Sequence, residues 1–562
     1  MRLWNRSQTN PGDDQDSGDQ DLGFIIRPEQ LPKAPPCQMH CPNSGDIRGW
    51  LGIIAQHEKT GLSLEEAFDK AWRRLTEFNP MPATIGRICP HPCETDCTRG
   101  EKDGAVSINA MERFLGDWGL ERDLKFELPE EPRHEESIGV IGSGPAGLSF
   151  AYHMARRGYP VTIYDRQPAP GGMLRYGIPS YRLPVETLEK EIQRILGLGI
   201  ELHLGENVGR DLSLEELKKR HALLFLGIGA QKARGLGIPG EAGPGVWSGI
   251  EYLKIRKDGG KLALGSKVAV IGGGNTAVDA ARMARRDGAE VILVYRRTRD
   301  EMPAIEAEIE DALLEGVKFE LLAAPAAIAR EDDQVIGIDI QRMVLGEPDA
   351  SGRRRPAPVE GDVHRLAVDS VITAVSQEPD LEEASGFPET HGWFQTADDG
   401  RLGPNLWAGG DDRGLGIASL AVSHGRHAAE AAHAELRGLP SPGPELPSTE
   451  ARERVKPDFY TGHAPSGSPR RPIDRWLQEP DAEITGTLTA EEAAYEASRC
   501  LSCGLCIGCD QCWMYCNAGG FVRLNKVDTG TYFAFVSDIC EGCGKCIEVC
   551  PTGFLSPAPP AV

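Results

Sequence analysis

The sequence predicts a multidomain chain: two α/β dinucleotide-binding units, one inserted into the other, between a helical N-terminal region and a small α+β C-terminal unit. Three observations carry this. The 562 residues are too many for one core. A strand, a glycine-rich turn and a helix occur in that order twice between about 134 and 437. Ten of the 15 cysteines fall in the last 63 residues.

Taken in order, residues 1–27 are polar and acidic, and are expected to be disordered. Residues 28–128 contain five cysteines and amphipathic stretches such as 63–75, with Ser63 as a helix cap. Residues 129–250 and 365–440 are assigned to the first dinucleotide unit, with the second, 251–364, inserted between them. Residues 441–488 are proline-rich and read as a linker wrapping the surface. The C-terminal unit is placed at 489–562, opening on a short helix at 490–499.

The net charge of −23 disfavours nucleic-acid binding, which needs a basic face. No apolar run approaches the roughly 20 residues of a membrane span. With no signal or transit pattern at the N-terminus, a cytoplasmic location is expected. Clustered cysteines favour metal binding over disulfides.

In the first fingerprint an apolar strand runs into Gly142-Ser-Gly144-Pro145-Ala146-Gly147 and then an apolar helix. Its next strand ends at Asp165, an acid placed to hold a ribose diol. The second is Gly272-Gly-Gly274-Asn275-Thr276-Ala277. Its next strand ends in Arg296 and Arg297, where an acid would hold a free 2′-hydroxyl. Two cations there suit a 2′-phosphate, hence NADP(H). Two such sites in one chain imply a flavin, FAD, facing a nicotinamide. Hydride transfer between stacked rings needs no protein acid or base, so no proton-transfer residue is nominated.

The tail repeats C-x2-C-x2-C-x3-C, a spacing that gives three thiolates to one [4Fe-4S] cluster and the fourth to a second. The expected sets are Cys506, Cys509, Cys512 with Cys550, and Cys540, Cys543, Cys546 with Cys516, in a bacterial-type ferredoxin domain.

Residues 28–437 resemble the small subunit of glutamate synthase and its relatives, the FAD- and NADPH-binding iron–sulfur oxidoreductases. The resemblance rests on Cys37-x3-Cys41-Pro42, Gly86-Arg-Ile-Cys89-Pro-His-Pro-Cys93-x3-Cys97, Gly171-Gly172-Met-Leu174-Arg-Tyr-Gly-Ile178-Pro179, Arg299-Asp-Glu-Met-Pro303 and Leu406-Trp-Ala-Gly-Gly410-Asp411. It implies two Rossmann-like domains. It also places Gly172, Leu174 and Ile178 against the flavin and Asp411 on its ribityl chain.

The family's N-terminal domain carries two [4Fe-4S] clusters and opens on a cysteine pair, approximately E-A-x-R-C-x-x-C. That pair is missing here, but Glu496-Ala-Ser-Arg499-Cys500-Leu-Ser-Cys503 has its form at the other end of the chain. The expectation is a bridging cluster on Cys37, Cys97, Cys500 and Cys503. A further one would sit on Cys41, Cys89 and Cys93, with Glu112 as its fourth ligand. Four clusters need 16 ligands, and 15 cysteines plus Glu112 supply them. The alternative is that Cys500 and Cys503 are free or hold zinc.

The resulting expectation is an oxidoreductase passing electrons between NADP(H) and a low-potential protein partner through FAD and four clusters. The partner would be ferredoxin or a 2-oxoacid:ferredoxin oxidoreductase, whose small ferredoxin-type subunit the tail resembles, within a hetero-oligomer. An input subunit of a glutamate synthase and a non-catalytic wiring subunit are the alternatives.

Overall fold

A computed structural model describes residues 26–30, 33–128, 133–349, 352–381, 387, 392–440 and 452–558. The expectation of disorder for 1–27 thus lies almost wholly outside the described residues.

The N-terminal region is helical, with its main helices at Ile47–Ala55, Leu64–Thr76, Pro82–Ile88 and Ile108–Glu121. Ser63 caps the second, and Glu66 reciprocates in a capping box. Trp50, Phe68, Leu75 and Phe114 build the core between them.

The first α/β unit is a six-stranded sheet in the order Arg401–Gly403, Leu406–Ala408, Leu223–Leu226, Ile138–Ile141, Val161–Asp165, Glu201–Leu204. All pairs are parallel except the first. The second unit is a five-stranded parallel sheet ordered Lys318–Leu321, Glu290–Tyr295, Lys267–Ile271, Ser370–Thr373, Val246–Ser248. A three-stranded antiparallel sheet, Ala323–Glu331, Gln334–Pro348 and Arg354–Leu366, packs beside it.

This corrects the domain limits. Val246–Ser248 and Ser370–Thr373 pair within the second sheet, so that unit reaches beyond 251–364 at both ends. The chain passes between the units along a two-stranded link, Lys232–Ala233 against Gln377–Glu378. Strands of three and four residues flanked by loops carry too little periodicity to be assigned to one sheet from sequence.

The 441–488 region also departs from expectation where it is described. It is a strap held at several points. Trp476 and Ile484 are buried in the core of the second α/β unit. Arg470 pairs with Asp311, and Glu483 pairs with Arg87 and Arg113 of the helical region. The Tyr460 hydroxyl donates to the Leu501 carbonyl at 2.7 Å.

The limit at 489 likewise separates nothing. Helix Ala490–Ser498, capped by Thr489, puts Ala493 and Ala497 into the N-terminal core together with Leu488. Only after Cys503 does a separate small unit begin. Its hairpin is Phe521–Asp528 with Thr531–Phe535, and Gln511–Met514 and Lys545–Val549 are its short helices. The N-terminal strand Pro28–Glu29 pairs with Ser556–Pro557, fastening this unit at its far end too.

Candidate flavin, nucleotide and iron–sulfur sites

The cavity of the first α/β unit is lined by Gly142, Gly144, Pro145, Ala146, Asp165, Gly172, Gly410 and Asp411, as expected from sequence. Gly142 has φ +99°, and a side chain there would strike the Gly227 carbonyl. Gly144 faces open space at the head of helix Pro145–Arg156, leaving backbone free to approach a pyrophosphate. Asp165 accepts from the backbone N–H of Ser143 and of Gln167, both at 2.8 Å, which fixes it at the cavity wall. Burial raises the Asp411 carboxyl to about 6, against a hydrogen bond from Gly416 N–H. His424, lowered to about 4 by burial, accepts from Gly410 N–H at 3.1 Å and holds that turn in place. These groups fit FAD.

Three of the expected residues are not on this wall. Leu174 is buried in the core, and Ile178 packs against the same cluster; Met173 lines the cavity instead. Gly147 lies where any Cβ would meet the Gly142 carbonyl, so its role is close helix–strand packing. Sequence reasoning missed Arg166, Glu206, Asn207 and Asp380, which line the cavity from the ends of neighbouring strands and from loops.

At the second fingerprint, Gly274 again faces open space at the head of helix Asn275–Arg286. Asn275 accepts from Ile305 N–H at 2.9 Å through Oδ1. Thr276 accepts from Gln377 of the interdomain link at 3.2 Å. Gly272 and Ala277 pack the turn against Ala374. The two arginines part company. Arg296 is exposed. Arg297 is buried, with Nε donating to the Arg354 carbonyl at 2.7 Å and Nη2 to Asp349 at 2.8 Å. It anchors the antiparallel sheet, so the expected pair of cations at the 2′-position reduces to Arg296.

Cysteines line four further cavities. Cys506, Cys509, Cys512 and Cys550 share one. Cys516, Cys540, Cys543 and Cys546 share the next, which also has Phe521 in its wall. Cys37, Cys97, Cys500 and Cys503, two from each end of the chain, line a third. Cys41, Cys89, Cys93 and Glu112 line the fourth.

The pairing of chain ends has a local cause. Glu496, fully buried, accepts from Ser107 N–H and Ser466 N–H at 2.7 Å and from Arg499 at 2.6 Å. Arg499, also fully buried, donates to the carbonyls of Gly104 at 2.7 Å, Ala105 at 2.9 Å and His463 at 3.0 Å. The Glu-x-x-Arg pair thus ties the root of the tail to the loop between Cys97 and helix Ile108–Glu121.

As free thiols Cys500 and Cys503 are held neutral. Burial pushes Cys500 up to about 12 and Cys503 to about 11, and the neighbouring sulfurs add to the shift. Such a set ionises when metal replaces the protons. In each cavity the four side chains surround a volume, which suits a cube several ångström across. A lone zinc would draw its sulfurs to ~2.3 Å. Among the described residues no group of three or more His, Cys, Asp or Glu side chains is placed to hold a single metal ion. Glu112 is raised to about 7, by burial first and by the Glu191 charge second, while Asn79 donates to it at 2.9 Å.

The cavities follow one another. Helix Ala418–Arg437 gives Ala421 to the flavin cavity and Ser419 and Val422 to that of Cys41, Cys89 and Cys93. Ile108 lies in the wall of that cavity and of the bridging one. Between the bridging and tail cavities, Gly504 N–H donates to the Thr552 carbonyl at 2.6 Å. Half-buried Tyr460 sits within the field of Cys500, Cys503, Cys509 and Cys550.

This architecture is that of a known family. The pyridine nucleotide-disulphide oxidoreductase profile matches residues 136–425, over half of the chain, and the chain belongs to that family. A 4Fe-4S cluster domain described as domain II of dihydropyrimidine dehydrogenase matches 31–124, and a 4Fe-4S dicluster domain matches 505–554. Its matched segments are those of iron–sulfur oxidoreductases that bind FAD and pyridine nucleotide. Cys500 and Cys503 lie outside both matched iron–sulfur segments.

Among relatives, NADPH-Fe(3+) oxidoreductase subunit beta of Geobacter sulfurreducens is 40% identical over 353 residues, 62% of this chain and 51% of that protein. The chain thus spans about half the length of that relative. NADP(+)-dependent formate dehydrogenase subunit beta of Moorella thermoacetica is 35% identical over 508 residues, 83% of this chain and 70% of the relative. The small chain of glutamate synthase [NADPH] from Azospirillum brasilense is 35% identical over 426 residues, 71% of this chain and 86% of the relative. Among the described residues no helix is long and apolar enough to cross a membrane.

Proposed function

We propose that this chain is the NADP(H)-linked flavin and iron–sulfur oxidoreductase subunit of a cytoplasmic hetero-oligomer. It passes electrons between NADP(H) and a low-potential protein partner, a ferredoxin or a 2-oxoacid:ferredoxin oxidoreductase. The observation that carries the reading is the succession of cavities from the flavin fingerprint to the ferredoxin-like end. On this reading the chain holds four [4Fe-4S] centres: one on Cys41, Cys89, Cys93 and Glu112, one on Cys37, Cys97, Cys500 and Cys503, and two on the tail cysteines. When bound, FAD takes two electrons as hydride and releases them singly to iron–sulfur clusters.

The rest falls to the chain. Gly142 and Gly144 admit a pyrophosphate, Asp165 and Asp411 orient hydroxyls, and Arg296 meets the 2′-phosphate. Cys93, Cys546 and Cys550 are buried and help to exclude water from three of the centres. The clamps at Glu496 and Arg499 and at Pro28–Glu29 hold the tail fixed. The names of the Geobacter and Moorella relatives, both beta subunits, support a place in a larger assembly.

The test is anaerobic reduction of a 2[4Fe-4S] ferredoxin by NADPH with the isolated chain. Turnover with NADPH preferred over NADH, and a preference reduced about tenfold in Arg296→Ala, is the expected result (a charge contact of ~1.4 kcal/mol). A reducible flavin that passes nothing to the ferredoxin overturns the reading. A glutamate synthase input subunit remains the second reading, favoured by the 86% coverage of the Azospirillum small chain. Co-purification with an amidotransferase-like large subunit rather than a thiamine-diphosphate enzyme would select it.

A further inference from the structure

Two arginines line the cavity of Cys37, Cys97, Cys500 and Cys503. Arg99 is neutralised by Asp103, which accepts from its Nε and Nη2 at 2.6 Å. Arg48 differs. From helix Ile47–Ala55 its Nη1 donates to the carbonyls of Lys33 at 2.8 Å and Cys503 at 2.7 Å. Its Nε is buried and has no hydrogen-bond partner. Among the described residues no carboxylate pairs with it.

The other three cavities have no lysine or arginine in their walls. Near them the buried Lys33 donates to the Phe554 carbonyl at 2.8 Å, in the wall of the Cys550 cavity, and three further cations are compensated or exposed. Arg426 pairs with Glu430 at 2.8 Å and Lys545 with Glu548 at 2.9 Å, while Lys59 is exposed on the carbonyls of Ile507 and Gly508. A half-buried guanidinium whose Nε has no partner is favoured where something anionic faces it.

Reduction adds one electron to a centre already negative from its thiolates, and burial opposes that added charge. A cation in the cavity wall, acting through a low dielectric, offsets the opposition. We infer that Arg48 sets the potential of the bridging centre, keeping a buried four-thiolate cluster reducible by electrons from the flavin side. The inference rests on the bridging centre proposed above. One electron arrives from the centre of Cys41, Cys89 and Cys93, and one leaves toward that of Cys506, Cys509, Cys512 and Cys550. Arg48 is a positioning residue: its two carbonyl bonds hold the charge in place, and they join the strand before Cys37 to Cys503. Thr98 Oγ1, 3.4 Å from Cys503 Sγ, and Ser502 N–H, 3.4 Å from Cys500 Sγ, add weaker dipoles of the same sense.

The experiment is an anaerobic redox titration of the full chain followed by electron paramagnetic resonance, with iron counted per FAD. Cys500→Ser identifies the bridging component as the one it removes. Arg48→Gln is expected to move that component alone to a more negative potential, with iron content unchanged. Arg48→Lys, which keeps the charge, is expected to leave it near its original value. An unmoved component in Arg48→Gln overturns the inference, and so does an equal shift in Arg48→Lys. Should Arg48→Gln fail to load, loading of Arg48→Lys at the original potential supports the role of charge. Loss of iron in both makes Arg48 a mere clamp and overturns it. If Cys500→Ser removes neither iron nor a signal, the bridging centre itself falls, a failure separable from that of Arg48.

Discussion

The two sulfur cavities of the helical region share Ile108 in their walls, yet they are built from different materials. The flavin-side cavity draws its cysteines and Glu112 from one stretch of chain, and has a buried carboxylate but no cation in its wall. The bridging cavity takes four sulfurs from both chain ends and sets Arg48 beside them. The first takes its four candidate ligands from residues 41–112, with Ser419 and Val422 closing its wall. The second needs both chain ends for its ligands, so its integrity reports on the clamp between them and the first does not.

The sharpest way to break this contrast is at the clamp. Arg499→Met leaves Glu496 buried without its charge partner, which costs ~3–5 kcal/mol. Chemical denaturation should show that loss, and iron should fall at the bridging site while the flavin-side centre stays loaded. Equal loss from both would erase the distinction. Next in size, Cys500→Ser is expected to lower iron from about 16 to about 12 per FAD, one cube's worth. A count of 12 in the unmodified protein, unchanged in the variant, removes the bridging centre.

Glu112 probes the other cavity. Glu112→Gln keeps an oxygen donor and should retain the flavin-side centre, whereas Glu112→Ala should lose it or weaken it about tenfold. Full iron in Glu112→Ala would unseat the carboxylate as a ligand.

The smallest effect concerns Glu191, fully buried beneath that cavity, where it accepts from Ala83 N–H and Thr84 N–H at 2.8 Å. Its carboxyl is raised to about 7, chiefly by burial. The folded state therefore binds a proton that the unfolded chain releases near ~4.3. Its contribution is fully present below that value and is lost as pH rises toward 7. In Glu191→Gln, stability measured across this window should decline less with pH, at a cost of ~1–3 kcal/mol in acid from the impaired bonds. An identical pH profile would contradict the assignment.

Much of this molecule was legible because its chemistry is local. The turns at Gly142 and Gly272, the helix cap at Ser63, and the cysteine spacings are each set within about a dozen residues. The Glu496–Arg499–Cys500 motif was legible as a displaced fragment, though not why it works; the answer lies in Ser107, Gly104 and Ala105, some 390 residues away in the chain. Arg297 misled for the converse reason. Its position after the strand suited a phosphate, but the hairpin carrying Asp349 and Arg354 had claimed it. Leu174 and Ile178 turned inward because an apolar side chain beside a cavity is drawn to the core as readily as to a ligand.

By itself, then, the sequence determined which cofactors the chain is equipped for and which side chains are available to hold them. Residue type and short spacing decide ligand chemistry. Tertiary structure decided the rest: where the domains divide, that the proline-rich stretch is a strap, which arginine stays free, and that Arg48 stands unneutralised among four sulfurs. Those outcomes depend on contacts between residues hundreds of positions apart, whose pairing is settled by burial and charge compensation across the whole fold.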